Sequence, residues 1–482
     1  MPAHKIIPIA VAESSAEMVS LYQSEGKIQM RSVSGWFAGW RWALVWFTQI
    51  LFYGLPWLQW NGRQAVLFDL AARRFYIFGM VLHPQDVIYL AGLLIISAFA
   101  LFLFTAVAGR LWCGYACPQT VYTEIFMWVE RRFEGDRQAR IKLDASAWSF
   151  DKFWRKGGKQ LVWLAIGLWT GFSFVGYFTP IQSLAAEVFG AGGFALGPWE
   201  SFWILFYGFA TYGNAGYMRE QVCKYMCPYA RFQSAMFDRD TLVISYDAAR
   251  GEPRGSRARG VAPASVGKGD CINCTLCVQV CPTGIDIREG LQYECIGCAA
   301  CIDVCDSVMD KMNYPRGLIR YATQNGMEGG WSPVQMWRRV ARPRVLVYSA
   351  VLLAIGVAFV ASLALRSPFK ADVVRDRASL ARLVEDGRIE NVYRVQLMNS
   401  TETAQRFHIE VTGVPGAVVT SHADVDVGAT QARWVALSVQ IAPQAARALG
   451  PGAHPMQVRI TLSSAANEGV ALNEKSTFVV PR

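Results

Sequence analysis

Long apolar stretches recur along the chain and predict helices that cross a membrane. Five of them come close to the roughly twenty residues that an α-helix needs to span a bilayer. The second and the fifth are apolar throughout, whereas the first and the fourth are rich in aromatic residues and also fit a partly interfacial position. The five stretches are residues 41–58, 87–109, 160–178, 199–218 and 345–365.

The positive charges between these stretches predict the orientation of the chain. Lys and Arg accumulate in short loops on the cytoplasmic side of a membrane. The loop 110–159 carries ten of them, whereas the loop 179–198 carries none. The N-terminus, 110–159 and 219–344 are therefore expected in the cytoplasm, and 366–482 is expected across the membrane. The loop 59–86, which contains three arginines, fits this orientation least well.

Beyond the fifth stretch, the pattern changes to one that is typical of β-strands. Five segments alternate apolar and polar residues between turn-rich stretches, as strands with one buried face do. They read YRVQLMN, FHIEVTG, WVALSVQIAP, MQVRITLSS and STFVVPR. We expect an antiparallel immunoglobulin-like sandwich of about seven strands. Its histidines, His408, His422 and His454, are scattered, so a docking role is expected there rather than catalysis.

Composition agrees with a membrane protein. Only 17% of the residues are charged, below the quarter that is typical of soluble domains, and 53% are hydrophobic. The net charge of +10 comes largely from Lys and Arg beside apolar stretches, which does not indicate nucleic-acid binding. The chain has five histidines and neither a C-x-x-C-H motif nor a phosphate loop, so haem and nucleotide chemistry are not indicated.

Eight of the twelve cysteines form two copies of C-x2-C-x2-C-x3-C, offset by 24 residues. This is the spacing of bacterial two-cluster ferredoxins, in which the fourth cysteine of each copy binds the cluster of the other copy. A pair of structural zinc sites is the alternative. Gly284 and Gly297 are expected to let the backbone approach the sulfurs, and Asp306 replaces the usual proline. One [4Fe–4S] cluster is predicted on Cys271, Cys274, Cys277 and Cys305, and the other on Cys281, Cys295, Cys298 and Cys301.

The other four cysteines form two C-x3-C-P motifs, one after the second apolar stretch and one after the fourth. They are Cys113 with Cys117, and Cys223 with Cys227. Proline favours the first turn of a helix, so the second cysteine of each motif is expected just before a helix N-terminus, where the dipole lowers the pKa of a thiol. Four soft thiolates suit Cu(I), with zinc or a third iron–sulfur cluster as rivals. Small buried residues without chemistry are the other alternative, and the sequence does not show that the pairs meet.

These patterns predict a multidomain chain, in which an α-helical membrane domain is followed by an inserted cytoplasmic α+β module and an all-β domain. Residues 250–268 are rich in Gly, Pro and Arg and are expected to be a linker. The predicted parts are a flexible cytoplasmic tail at 1–34, a membrane domain at 35–249, the linker, a ferredoxin module at 269–315, a basic juxtamembrane segment at 316–344, the fifth span at 345–365 and the sandwich at 366–482.

The combined layout resembles the cytochrome c oxidase accessory protein family of the FixG/RdxA/CcoG type. The stretches RRFYIFG (73–79) and WSFDKFWRKG (148–157) also look like that family. The resemblance implies a multi-pass protein of the bacterial inner membrane, with a cytoplasmic ferredoxin module and a periplasmic C-terminal domain. It further implies reduction of Cu(II) to Cu(I) during assembly of cbb3-type oxidase, with assembly factors and a copper chaperone or copper-transporting ATPase as partners.

Two other functions fit the same residues. One is a relay that passes electrons from quinol to an acceptor without copper chemistry, and the other is a non-enzymatic assembly scaffold. No residue is assigned as catalytic, and the sequence does not indicate the electron donor. Membrane lipid is the remaining expected partner.

Overall fold

The computed structural model describes residues 28–190, 195–376, 381–463 and 470–481. Its helices are α1 (Trp36–Gly54), α2 (Val87–Ala108), α3 (Leu111–Tyr115), α4 (Pro118–Glu134), α5 (Arg137–Ala145), α6 (Phe150–Val175), α7 (Ile181–Phe189), α8 (Pro198–Gly213), α9 (Pro228–Met236), α10 (Ala248–Gly251), α11 (Leu276–Gln279), α12 (Ala300–Met312), α13 (Gln324–Glu328), α14 (Pro333–Arg338), α15 (Pro343–Ala364) and α16 (Pro443–Leu449). Two π-helical turns, Asn214–Met218 and Val222–Met226, lie between α8 and α9.

The strands before α15 are short, and those after it are long. The first group is β1 (Gln59–Trp60), β2 (Arg63–Gln64), β3 (Val66–Asp69), β4 (Arg74–Ile77), β5 (Met80–Leu82), β6 (Val243–Tyr246) and β7 (Ile319–Ala322). The second group is β8 (Phe369–Arg375), β9 (Arg382–Leu383), β10 (Ile389–Asn399), β11 (Gln405–Thr412), β12 (Val418–Val419), β13 (Asp424–Val427), β14 (Ala432–Ile441), β15 (Gly452–Leu462) and β16 (Ala471–Val480).

Two helices in the described part of the chain are long and apolar enough to cross a membrane. They are Pro84–Ala108, which contains α2, and Pro343–Ala364, which is α15. The two lie side by side, and the hydroxyl of Tyr89 donates a hydrogen bond to the carbonyl oxygen of Ser362 over 3.2 Å. The other three predicted spans coincide largely with α1, α6 and α8, and they stay predictions, because α8 has 16 residues and α6 begins with a charged half.

Glycines allow α6 and α8 to pack in close backbone contact. A Cβ atom added at Gly167 would lie 2.7 Å from the carbonyl oxygen of Gly208, and one at Gly171 would collide with the carbonyl oxygen of Ile204. Small residues four positions apart let two helices approach closely in this way, particularly in membranes. The close approach therefore depends on these glycines rather than on large interlocking side chains.

Gly171→Leu is expected to lower the stability of the protein by about 1–3 kcal/mol, because the added side chain has no space between α6 and α8. Thermal unfolding of the detergent-solubilised protein measures this. Gly157 lies in the same helix with no atom within 4 Å of an added Cβ, so Gly157→Ala is the control and should be neutral or stabilising by up to about 1 kcal/mol. Equal melting temperatures for the two variants would contradict the predicted packing.

The iron–sulfur motifs lie between two short strands that pair with each other. β6 and β7 are antiparallel, with Val243 opposite Ala322, so the folded module extends beyond 269–315 on both sides. The two copies end differently: α11 has four residues, whereas α12 continues for thirteen. Asp306 lies inside α12, where proline would remove a helical hydrogen bond, and its carboxylate accepts the N–H of Gly317 over 2.9 Å.

The C-terminal strands form the predicted sandwich. One sheet has the order β12-β14-β10-β8, with β9 also paired to β10, and the other has the order β13-β11-β15-β16. Nine strands are present in the described residues, against about seven predicted. The alternating residues of both sheets meet in one core, where Phe369 and Phe407 pack edge to face with centroids 5.2 Å apart.

The loop 59–86 lies at the same end of the molecule as the sandwich. Arg63 forms an ion pair with Glu402 over 2.7 Å, and Asp86 forms one with Arg366 over 2.8 Å. The side chain of Gln85 also donates to Asp372 over 2.8 Å. Arg63 is thus held by a carboxylate of the C-terminal domain, which explains a positive charge in a loop that the charge pattern fits poorly.

Candidate iron–sulfur and thiol site

The ferredoxin module contains two cavities with apolar walls, and each is lined by one of the predicted cysteine sets. Cys271, Cys274, Cys277 and Cys305 line the first, and Cys281, Cys295, Cys298 and Cys301 line the second, together with Cys277. The fold therefore carries the fourth cysteine of each copy to the cavity of the other copy. Four thiols around an apolar cavity fit the ligand requirements of a [4Fe–4S] cluster.

The loops around the two cavities have the same backbone conformation. Asn273 and Thr275 both have a φ of 57°, and the residues 24 positions later, Gly297 and Ala299, have φ values of 69° and 59°. The left-handed conformation costs a non-glycine residue on the order of 1 kcal/mol, and residues held in it cluster at functional sites. Duplicated sequence thus produces duplicated loops.

Within the described ranges, no group of three or more Cys, His, Asp or Glu side chains is arranged to hold a single metal ion. The eight thiols of the module line two cavities in two sets, and neither set is gathered around a single position for one ion. Two sets of four thiols around two cavities supply the ligands that two [4Fe–4S] clusters need.

Both C-x3-C-P motifs fold as a short turn followed by a helix that begins at the proline. Cys113 lies in α3 and Cys223 in the second π-helical turn. Cys117 and Cys227 have extended backbones, with φ/ψ of −61°/129° and −80°/109°, and directly precede α4 and α9. The predicted position of these two cysteines at helix N-termini is confirmed.

The fold brings the two cysteine pairs together. A thiolate at Cys223 or Cys227 would raise the pKa of Cys113, and one at Cys117 would raise that of Cys223, so the two pairs lie within electrostatic range of each other. The thiol of Cys113 donates to the side-chain oxygen of Gln233, on the helix that follows the second pair, over 3.3 Å. The four cysteines therefore form one cluster of side chains, called the thiol site below.

A side-chain amide also ties the two motifs to each other. The amide of Gln119, two residues after Cys117, donates to the carbonyl oxygens of Asn214 and Arg219 over 3.0 and 3.1 Å. These carbonyls belong to the turns that lead into the second motif. The bonds fix the start of α4 against the chain that carries Cys223.

The expected lowering of the thiol pKa before a helix N-terminus is wrong for Cys117, whose pKa is raised. Burial raises the pKa of Cys113 to about 12 and that of Cys223 to about 11. Burial also raises the pKa of Cys117, although the N–H groups of Gln119 and Thr120 oppose it by donating to the sulfur. Desolvation disfavours the thiolate more than the helix N-terminus favours it, so a bound cation must displace protons here.

The thiol site lies directly against the loop of the second cavity. A Cβ atom at Gly114 would lie 2.8 Å from the carbonyl group of Gly297 and 2.9 Å from the Cα atom of Cys298. Cys113 and Cys223 also pack against the apolar cluster that contains Cys298. The backbone of Gly297 approaches sulfur as expected, because its N–H donates to Cys295. It also contacts another segment, since its own added Cβ would meet the backbone of Arg110 at 3.2 Å.

Three polar side chains that the sequence did not single out fix the loop of the second cavity and α12 against α1 and β7. The guanidinium of Arg41 donates to the carbonyl oxygen of Cys298 over 3.1 Å, and the hydroxyl of Tyr321 donates to that of Gly297 over 2.6 Å. Asp303, between two cysteines of α12, accepts the N–H groups at the start of α1, including that of Ala38 over 2.7 Å. In the sequence, only the position of Asp303 between Cys301 and Cys305 could have indicated such a role, because an acidic residue between two cluster ligands is unusual.

Family models and relatives agree with these features. A model described as a 4Fe-4S dicluster domain matches residues 218–324, and one described as a 4Fe-4S binding domain matches 90–135. A third, described as the IG-like fold at the C-terminal of FixG, matches 359–481. These matches confirm iron–sulfur clusters as cofactors and an immunoglobulin-like C-terminal domain.

Three relatives are similar over most of their length. The nitrogen fixation protein FixG of Rhizobium meliloti (strain 1021) is 40% identical over 83% of this chain and 82% of its own. Proteins RdxB and RdxA of Cereibacter sphaeroides are 42% and 39% identical, over 83% and 82% of this chain and 87% and 84% of their own. A crystal structure of a FixG-related protein from Vibrio parahaemolyticus matches 24% of this chain and 97% of its own, with 22% identity and a TM-score of 0.21.

Proposed function

We propose that this chain, which belongs to the family of FixG, RdxA and RdxB, reduces Cu(II) to Cu(I) at the thiol site. Clusters in the two cavities would supply one electron at a time, which is what Cu(II) requires. The observation that carries the proposal is the contact between Gly114 and the loop of Cys298. This contact brings soft thiols, which prefer Cu(I), next to the module in which the electron-carrying clusters would bind.

Copper acts as a substrate in this proposal. The thiols of Cys113, Cys117, Cys223 and Cys227 would bind the ion after losing their protons, and Cu(I) would leave for an acceptor. A transient substrate does not require the four ligands to be arranged beforehand around one point. The resemblance to oxidase accessory proteins makes a copper chaperone, a copper-transporting ATPase or another factor of cbb3-type oxidase assembly the proposed recipient.

A second candidate is favoured by the match of the 4Fe-4S binding model to residues 90–135, which include Cys113 and Cys117. In that case the thiol site would hold a third iron–sulfur cluster and pass electrons on without copper. The two candidates differ in iron content, with about eight iron atoms per chain for two clusters and about twelve for three.

The test changes Cys113, Cys117, Cys223 and Cys227 together to Ala in the full chain. The protein is reduced anaerobically, excess reductant is removed, and Cu(II) is added with a Cu(I)-specific chelator. We expect wild type to deliver one Cu(I) per stored electron and the variant to deliver none above background, because the thiols are the copper ligands. Iron is measured in both samples.

Met226→Leu is the matched control. Met226 lies within the second motif, carries a thioether sulfur that is a soft ligand, and is 57% exposed. This variant should behave as wild type. Equal Cu(I) yields from wild type and the four-cysteine variant would refute a copper site at these thiols. A loss of about four iron atoms in the variant would favour the third cluster instead.

A further inference from the structure

The two cavities of the ferredoxin module face different surroundings. Cys274 in the first cavity is exposed, whereas the other eleven cysteines are buried or half-buried. Asn273 and Thr275, on either side of it, are exposed as well. The loop of the second cavity is buried around Cys298 and is covered by the segment that contains Gly114. The module therefore has a solvent end and an end that faces the thiol site.

The segment 250–268 lies along the solvent end. The residues that follow it close the segment, because the N–H of Gly269 donates to the carbonyl oxygen of Pro253 over 3.0 Å and the N–H of Asp270 donates to the carbonyl oxygen of Arg250 over 2.9 Å. The N–H of Gly255 donates to the carbonyl oxygen of Cys271 over 3.1 Å, which fixes the segment beside the first cavity. The predicted linker is thus a closed loop that belongs to the module, and we call it the basic loop.

The basic loop places an excess of positive charge beside Cys271, which lines the same cavity as Cys274. It contains five Lys and Arg and one acidic residue, Glu252. Arg254 is exposed and lies 3.7 Å from Glu252. The side chain of Lys268 lies across Gly255, where an added Cβ would be 2.8 Å from its Cε atom.

Arg288 adds a positive charge at the first cavity itself. It lines the first cavity, and its guanidinium donates to the side-chain oxygen of Asn273 over 2.7 Å. The same group binds Asp286 and, with a smaller contribution from Arg254, holds the pKa of that carboxyl below its usual value. The acidic groups on this side are Glu252 and Asp286, both next to arginines, Asp270, which forms an ion pair with Arg250 over 2.5 Å, and the exposed Glu289.

We infer that the basic loop docks an acidic, soluble one-electron carrier protein, which delivers electrons at the end of the module that contains Cys274. This inference rests on the proposed function, since it identifies the class of electron donor for the same module. In the step, the reduced carrier loses one electron and the module gains it, and no bond or proton is exchanged. Complementary charge speeds the encounter of redox partners, whose interfaces are small and transient.

The experiment measures binding and electron transfer separately. The probe is an acidic [2Fe–2S] ferredoxin, and the iron-loaded full chain is compared with an Arg254→Glu and Lys268→Glu double variant. Affinity for oxidised ferredoxin is measured by fluorescence anisotropy at low and at about 0.3 M salt. Reduction of the chain by reduced ferredoxin is followed by stopped-flow absorbance. Wild-type binding should weaken with salt, and the variant should lose about tenfold or more in affinity and rate.

The control variant carries Arg132→Glu and Lys142→Glu, which change two exposed positive residues of the membrane domain by the same net charge. It should match wild type, and reduction by dithionite should be equal in all three proteins. Equal loss in both double variants, or binding that salt does not change, would overturn the inference. A third outcome would also overturn the inference. If the Arg254→Glu and Lys268→Glu variant no longer floats with anionic vesicles but is still reduced by ferredoxin at the wild-type rate, the basic loop binds lipid and not the carrier.

Failure of the inference and failure of the proposed function give different results. Copper is absent from the ferredoxin measurements, and ferredoxin is absent from the copper measurements. A protein that reduces Cu(II) after dithionite treatment but does not bind ferredoxin keeps the proposed function and loses this donor. A protein that accepts electrons from ferredoxin but yields no Cu(I) keeps the donor and loses the copper reaction.

Discussion

Gly114→Val should lower the rate of Cu(I) delivery by about 10–100-fold, the range that a displacement of roughly 1 Å costs at a reacting centre. The valine side chain has no space, because even its Cβ would lie 2.8 Å from the carbonyl group of Gly297. The first C-x3-C-P motif must then move away from the loop of Cys298. The variant removes no thiol, so iron content and reduction by dithionite should be unchanged.

The control for this variant is Gly39→Val, because an added Cβ at Gly39 meets no atom within 4 Å. Stopped-flow measurement of Cu(I) with a chelator compares wild type and the two variants after equal reduction. Gly114→Ala adds only the clashing Cβ and should give a smaller loss, which separates displacement from misfolding. Wild-type rates in Gly114→Val would mean that electrons do not pass through this contact.

Glu130→Gln should destabilise the protein by about 3–5 kcal/mol, as is usual when one partner of a buried ion pair is removed. The Glu130 side chain is 0% exposed and accepts Arg140 over 2.7 Å and Arg219 over 2.9 Å. Lys159 lies 3.6 Å from its carboxylate. Without the carboxylate charge, the buried Arg140 and Arg219 would lose their ion-pair partner, whereas Lys159 keeps its shorter ion pair with Glu134 over 2.6 Å.

The effect should also reach the thiol site. Arg219 belongs to the chain that leads to Cys223, and its carbonyl oxygen accepts the amide of Gln119. Thermal unfolding measures the stability loss, and alkylation of Cys223, read by mass spectrometry, measures loosening of the site. Asp151→Asn is the control, because its ion pair with Arg155 is exposed and contributes about 0.5 kcal/mol at most. Equal stability of Glu130→Gln and wild type would contradict a structural role of this network.

The cysteine sets of the two cavities were predictable because they depend on local spacing. Three thiols within seven residues line one cavity. The duplicated spacing predicts that the fourth cysteine of each copy, Cys281 or Cys305, lines the cavity of the other copy. The strands of the sandwich were predictable for a similar reason, since alternation along one segment reports its buried face. The helices after Cys117 and Cys227 followed from the proline at their first turn.

The direction of the thiol pKa shifts was not predictable from the motif, because burial raises the pKa and the helix dipole lowers it. A C-x3-C-P sequence shows which cysteine precedes a helix, but the desolvation of Cys113 and Cys223 depends on residues far away in the chain. Ile296 and Cys298 pack against them from the ferredoxin module. The sign of the pKa shift is therefore a tertiary property.

The sequence by itself determined the iron–sulfur module, the apolar stretches, the sandwich and the family, because each depends on spacing, periodicity or motif order within a segment. Only the tertiary structure decided that the two cysteine pairs form one site and that Gly114 lies against the loop of Cys298. It also decided that Cys274 faces solvent beside the basic loop. These are contacts between segments distant in sequence, and their geometry follows from packing of the whole molecule, which no local pattern encodes.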